Sequence, residues 1–359
     1  MNHDPNQGRD VHLLIGTGGS RSILFGTGVL LALSQTRFRH FRSIGGVSGG
    51  SIPTSLISAN PNVAALLERV LATDFHKLVK RRVSLINFLT QVVRDPKPID
   101  PPPLVGALDA EAMGAFFDEH IQDWPRLFWT VALTHQRKVI MTAEGIYVEQ
   151  EGGGIIKDAD RPPPIGTAIR ATCAVPILLD PVPWVSADGV EHLLIDGGLG
   201  PEGRCPTSIP KFLHAMHDSY LIVVNLGEDK SHLHKLLDSA FGTDNLKEPS
   251  LEDDEPGPLP ENYTRIVISP PYALSGSFKF QMTRREKWQM IMCGYMTAVD
   301  MFDKHGMYAD CTVHHARERG LRALLLLATR RRPYFTDTLP PELDKVFADL
   351  RFSDEQFGV

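Results

Sequence analysis

Apolar residues recur along the chain in short blocks, several of them closed by glycine. The first is Val11-His-Leu-Leu-Ile15, followed at once by Gly16-Thr-Gly-Gly-Ser-Arg-Ser22. A block of that length ending in glycines predicts a buried strand and a tight turn. Ile23 to Ser34 is rich in Leu and predicts a helix in spite of Gly26 and Gly28. Phe41 to Gly46 predicts a second strand, and a sharp turn at Val47-Ser48-Gly49 leads into a second helix through about Ser58. Strand, glycine turn, helix, strand, turn, helix is the alternation of an α/β protein with a mainly parallel sheet.

The pattern then varies. Pro61 to Leu89 is helical and amphipathic, and Arg94 to Leu104 is proline-dense and predicts an extended loop. Leu127 to Leu133 and Lys138 to Thr142 predict paired strands. Glu151 to Gly154 predicts a flexible turn, and Thr167 to Cys173 a short helix stopped by Pro176. His192 to Ile195 is another apolar strand, again closed by glycines in Asp196-Gly197-Gly198. Tyr220 to Asn225 and Arg265 to Ser269 complete the predicted core strands. Between those two, Asn245 to Asn262 is rich in Asp, Glu and Pro and reads as a solvated excursion. Phe278 to His305 and Arg317 to Leu327 predict helices, and the residues from Arg332 onward a partly attached extension. The organisation expected is a polar tail over 1–10, one domain over 11–330 and an extension over 331–359.

Composition narrows the class. The 359 residues are 42% hydrophobic and 22% charged, ordinary values for a globular chain that needs no staples to hold a core. There are 37 basic against 43 acidic residues, a formal −6 without the basic excess of a general nucleic-acid binder. Cys173, Cys205, Cys293 and Cys311 are scattered and form no CxxC pair, which fits a reducing compartment. The first ten residues lack an apolar stretch, and no apolar run approaches the ~20 residues of a membrane span. A cytoplasmic protein in transient, peripheral contact with membrane surfaces is expected.

The sharpest chemical signal is Gly46-Val-Ser48-Gly-Gly50, a GxSxG match. Such a turn between strand and helix exposes a serine Oγ, its glycines permitting the backbone and the close approach. Taken alone it is equally a plain Gly/Ser turn. The Gly16 to Ser22 turn also follows a strand, and adjacent parallel strands bring both turns to one sheet edge. Consecutive N–H groups in such a turn can face an oxyanion. As a dinucleotide fingerprint it fails, with Arg21 where the third glycine belongs and no acidic residue at the expected distance. No P-loop is present. The 14 histidines include His314-His315, His232-x-His234 and His214-x-x-His217, none with metal-ligand spacing, so no metal or cofactor is expected. Asp196 ends an apolar strand. It is either a base bonded directly to Ser48 or an Asp that opens a turn.

In their order these blocks resemble the patatin-like phospholipase family. The family's oxyanion turn is similar to Thr17-Gly18-Gly19-Ser20-Arg21-Ser22, with Thr and Ser at the outer glycine positions. Its first helix is similar to Phe25 to Leu33, its middle block to Ala168 to Pro176 with Pro181 beyond, and its catalytic D-G-(G/A) to Asp196-Gly197-Gly198. The resemblance spans about Val11 to Pro206. It implies a patatin-like three-layer α/β/α fold and a lipid acyl hydrolase of phospholipase A or lysophospholipase type. Ser48 would be the nucleophile and Asp196 the base. The oxyanion turn would comprise Gly18, Gly19, Ser20 and Arg21, with Gly46, Gly50, Gly197 and Gly198 supporting the motifs. Arg21 would aid the turn or meet a lipid phosphate. Ser22, where the family has glycine, would be strained if its φ were positive. The implied partner is a lipid or phospholipid substrate, with no nucleic acid and no activator named. The Pro61 to Leu89 and Arg94 to Leu104 segments would supply a lid or an interfacial face. Two other readings stand beside hydrolysis: transfer of the acyl group to an acceptor other than water, and a catalytically weak lipid-binding or regulatory module.

Overall fold

The computed structural model describes residues 9–81, 107–134, 137–149, 154–176, 178–199, 218–227, 262–272, 274, 277–309, 311–328 and 339–358. Twelve strands lie within them: β1 (Asp10–Ile15), β2 (Phe41–Gly46), β3 (Lys80–Arg81), β4 (Leu108–Asp109), β5 (Phe128–Leu133), β6 (Lys138–Thr142), β7 (Gly145–Glu149), β8 (Ile155–Ala159), β9 (Val182–Val185), β10 (Glu191–Asp196), β11 (Ser219–Val224) and β12 (Tyr263–Ile268). The main helices are α1 (Ser20–Leu33), α2 (Ser51–Ala59), α3 (Val63–Ala72), α4 (Glu111–His120), α5 (Ile165–Thr172), α6 (Arg284–Lys304) and α7 (Thr312–Ala328).

The main sheet runs β12-β11-β1-β2-β5-β6-β7-β8. From β12 to β5 every neighbour is parallel. A parallel sheet is covered on both faces, which is why β1 and β11 are nearly unbroken apolar runs. Leu13 and Ile15 point into the larger core with α1, α3 and α6, while Leu14, Leu221 and Val223 fill a second core across the sheet. All five side chains are fully buried, so the sheet is the middle of a three-layer α/β/α arrangement. Beyond β5 the sheet turns antiparallel through β6, β7 and β8. β10 joins β5 antiparallel at Asp196↔Ala132 and forms a hairpin with β9.

Helix α1 is buried along its whole length and crosses α6 at close range. Gly28 abuts the Ile291 carbonyl, and Gly294 of α6 abuts the Phe25 carbonyl. A methyl at either position would strike backbone, so these glycines set the crossing distance. Their usual cost inside a helix, about 1 kcal/mol against Ala, is offset by that packing.

Four expectations change. Helix α1 begins at Ser20 rather than Ile23, because Gly18 (φ 153°) and Gly19 (φ 54°) complete the turn by themselves. In the described part of the amphipathic segment after Pro61, residues 61–81, the α-helix ends at Ala72. Thr73 and Asp74 are extended and divert the chain into a short 3-10 turn and β3. The apolar face of α3 (Val63, Leu66, Leu67, Val70 and Leu71) lies in the core and offers no interfacial surface. The long helix near the C-terminus starts at Arg284, where Thr283 and Glu286 form a capping box. Finally, residues 339–358 are part of the core: Leu343, Phe347, Leu350, Phe352 and Phe357 are buried there, and Phe352 N–H donates to the Pro61 carbonyl. The segments expected as loops or turns over Arg94 to Leu104, Asn245 to Glu261 and Glu151 to Gly153 lie outside the described residues, as does Cys205.

Candidate active site

The β2 strand ends at Gly46, and the next turn carries the only non-glycine residue with positive φ among those described, Ser48 (φ 53°). A serine in this left-handed region is strained, and such strain persists only where the surroundings enforce it. Here they do so from both sides. Ser48 N–H donates to Thr172 Oγ1 at 3.0 Å, and Ser51 Oγ donates to the Ser48 carbonyl at 2.6 Å. The 3-10 turn Ser48–Gly50 runs straight into α2, so the positive end of that helix faces the site.

Asp196 closes β10 beside Ser48. Ser48 Oγ donates to Asp196 Oδ2 at 2.7 Å, and Gly198 N–H donates to Oδ1 at 2.6 Å. The serine is 4% exposed and the aspartate 2%. Among the described residues no Lys, Arg or His pairs with this carboxylate, so burial dominates. It raises the Asp196 pKa to about 7, with the hydrogen bonds from Ser48 and Gly198 pulling the other way. Cys173, also buried, is pushed far above the usual thiol range by burial first and by the Asp196 charge second, so it stays a thiol.

The first glycine turn packs directly on the second. Gly49 lies so close to Gly19 that a Cβ on Gly49 would strike the Gly19 carbonyl. Among the described residues the N–H groups of Gly18 and Gly19 have no acceptor. Ser20 and Arg21 differ. Ser20 N–H donates to the Ser277 carbonyl at 2.8 Å, and Arg21 N–H to the Gly18 carbonyl at 3.2 Å within the first turn of α1. The Arg21 guanidinium is buried and Nη1 donates to the Leu274 carbonyl at 2.5 Å. It points into the protein, where it ties α1 to the segment before α6, and cannot meet a lipid phosphate. Ser22 is helical and buried, and its Oγ donates to the Gly16 carbonyl, so no strain arises there.

The motif glycines are spacers. A Cβ on Gly46 would meet Thr54, on Gly50 the Ile15 carbonyl, on Gly197 the Val131 carbonyl and on Gly198 the Thr17 side chain. Thr172, Ser51 and Thr130, whose Oγ1 donates to the Gly46 carbonyl at 2.7 Å, are the residues sequence reasoning missed. Only Thr172 lay within a recognised block, and nothing in its spacing signalled a bond to a residue 124 positions away. His314 and His315 lie on α7, and no cluster that could hold a metal occurs among the described residues. No described helix is long and apolar enough to cross a membrane.

The sequence profile described as Patatin-like phospholipase matches residues 13–202, which hold both glycine turns, α5 and the end of β10. No curated protein matches the chain in sequence. Among solved structures, VipD from Legionella pneumophila is similar at 12% identity and a TM-score of 0.35, covering 89% of this chain and 75% of that one. The type III effector protein ExoU is similar at 11% identity and a TM-score of 0.35, covering 95% of this chain and 68% of that one.

Proposed function

The chain belongs to the patatin-like phospholipase family, a family of lipid ester hydrolases, and from that membership we propose that it cleaves acyl ester bonds of lipids through a Ser48–Asp196 dyad. The observation that carries the reading is the 2.7 Å bond from Ser48 Oγ to a buried carboxylate whose other oxygen is held by the Gly198 N–H. Ser48 Oγ attacks the ester carbonyl carbon as its proton passes to Asp196 Oδ2. The carbonyl π electrons move to oxygen, and the oxyanion is met by the Gly18 and Gly19 N–H groups. Collapse expels the alcohol, which takes the proton from Asp196 and leaves an acyl-Ser48 ester. Water repeats the sequence and frees the acid.

A base must be ionised to accept a proton, and one with a pKa near the working pH combines availability with strength. With Asp196 at about 7, kcat/KM is expected to rise tenfold per pH unit below that value and to level off above it. A pH–rate profile on a soluble short-chain ester measures this. A flat profile between pH 5 and 8 would count against Asp196 as the base. Among the described residues no histidine bonds Ser48 or Asp196, which favours the dyad over a histidine-based transferase.

A further inference from the structure

We infer that Thr172 is a positioning residue for the nucleophile, and that the end of α5, from Thr172 to Ala174, works with β5 to hold Ser48 and Asp196 at bonding distance. The inference rests on the dyad reading. The two residues come from different strands and are 148 positions apart. β2 and β10 are not paired with each other; both pair with β5, at Gly46↔Thr130 and Asp196↔Ala132, which brings the strand ends together but leaves Ser48, two residues beyond β2, to be placed by other contacts. One short segment touches the backbone of both. Thr172 Oγ1 accepts the Ser48 N–H at 3.0 Å, and two residues on the Ala174 carbonyl accepts the Asp196 N–H at 2.9 Å. Between them, the Cys173 thiol lies 3.8 Å from Ser51 Oγ, the hydroxyl that holds the Ser48 carbonyl.

The chemistry of the turn explains why such a holder is needed. Ser48 sits at φ 53° with its amide buried. A buried N–H without an acceptor is costly, and a serine with positive φ relaxes towards the ordinary region unless held. Thr172 is wholly buried and supplies the acceptor from outside the turn. Its bond also commits the Ser48 N–H, so that group does not stabilise the oxyanion, and the Gly18 and Gly19 amides are left for that task. α5 is itself held from behind: Asp118 of α4 accepts the Gly166 N–H at 2.8 Å, and Gly114 and Gly166 are in close contact. A chain of direct contacts thus runs from α4 through α5 to the nucleophile.

The test compares Thr172→Val and Thr172→Ala, which remove the acceptor, with Thr172→Ser, which keeps it. Turnover of a soluble p-nitrophenyl ester, the rate of labelling by a fluorophosphonate and deuterium exchange in the peptide carrying Ser48 are measured on each folded protein. Val and Ala are expected to lower kcat and the labelling rate by about a hundredfold with KM unchanged, because a small displacement of the nucleophile is enough for that loss. The Ser48 peptide should exchange faster, and Thr172→Ser should stay within a few fold of the wild type. The inference is overturned if Val and Ala label at the wild-type rate per folded molecule, or if Ser falls as far as they do. Should a variant fold poorly, its labelling and exchange are read on the folded fraction, where the same outcomes decide. A folded wild type that neither labels nor turns over the ester would overturn the dyad reading itself, which separates that failure from this one.

Discussion

Asp196→Asn is expected to lower kcat for ester hydrolysis by about 10⁴-fold and, in the same molecule, to make the protein harder to unfold at pH 8. The first effect follows from removing the base while keeping its shape. The amide oxygen can still accept the Gly198 N–H and the amide nitrogen can donate to Ser48 Oγ. Ser48 then has no acceptor for its proton, and a buried neutral amide in place of a catalytic carboxylate is among the most damaging isosteric changes. The second effect follows from linkage. Asp196 titrates near 7 in the folded protein and in the ordinary carboxylate range once unfolded, so folding favours its protonated form. The protonated side chain is at no disadvantage below about pH 4. As the pH rises from about 4 to about 7 the unfolded chain releases a proton that the folded state still holds, so the folded state loses stability progressively, and above 7 the ionised, buried carboxylate carries the full cost of at most roughly 4 kcal/mol. Asn carries no charge at any pH and escapes this cost. Denaturant unfolding of wild type and variant should therefore show a stability gain at pH 8 that falls to about half at pH 5.5. A variant that is inactive and less stable at pH 8 would mean that the Asp196 carboxylate is held by favourable interactions rather than merely confined.

Gly19→Ala is expected to cost a further large factor, about 10²- to 10³-fold in kcat, with little change in KM. Gly19 adopts φ 54°, and a Cβ there would strike the Ser277 carbonyl. That carbonyl cannot simply withdraw, because it accepts both the Ser20 N–H and the Ser20 hydroxyl. The turn must instead shift as a unit, and with it the Gly18 and Gly19 amides that face the developing negative charge in the proposed mechanism. An oxyanion donor acts mainly in the transition state, so ground-state binding should be spared. Steady-state kinetics on a soluble ester separate the two. A Gly19→Ala protein that keeps its kcat would place the oxyanion donors elsewhere.

The parts of the molecule legible in the sequence are those where local chemistry and tertiary role coincide. The Val11 to Ile15 strand and the Gly46 to Gly50 turn were readable because parallel strands buried on both faces are continuous apolar runs, and the tight turns at their ends need glycine. The antiparallel β7, β8 and β9 were not, because Gly145 to Glu149 and Ile155 to Ala159 are short, half-polar and carry little periodic signal. The start of α6 was placed too early because the apolar residues Phe278 and Phe280 pack on the core without being helical. At the site, Ser48 and the glycine amides could be nominated from their motifs. The direction of Arg21 could not. A lone arginine after a glycine turn reads as a ligand-facing cation, and only its burial and its bond to the Leu274 carbonyl show that it turns inward. The roles of Thr172 and Ser51 are set by distances between elements far apart in sequence, and side-chain type alone carries no trace of them.

If Ser48 is an activated nucleophile with Asp196 as its base, a fluorophosphonate should trap it, and peptide mass spectrometry of the adduct shows where. The prediction is one phosphonyl group per chain on Ser48, formed faster above pH 7 than below it and absent from Asp196→Asn. An adduct on another residue, or lipid ester hydrolysis that persists in a folded Ser48→Ala protein, would contradict it.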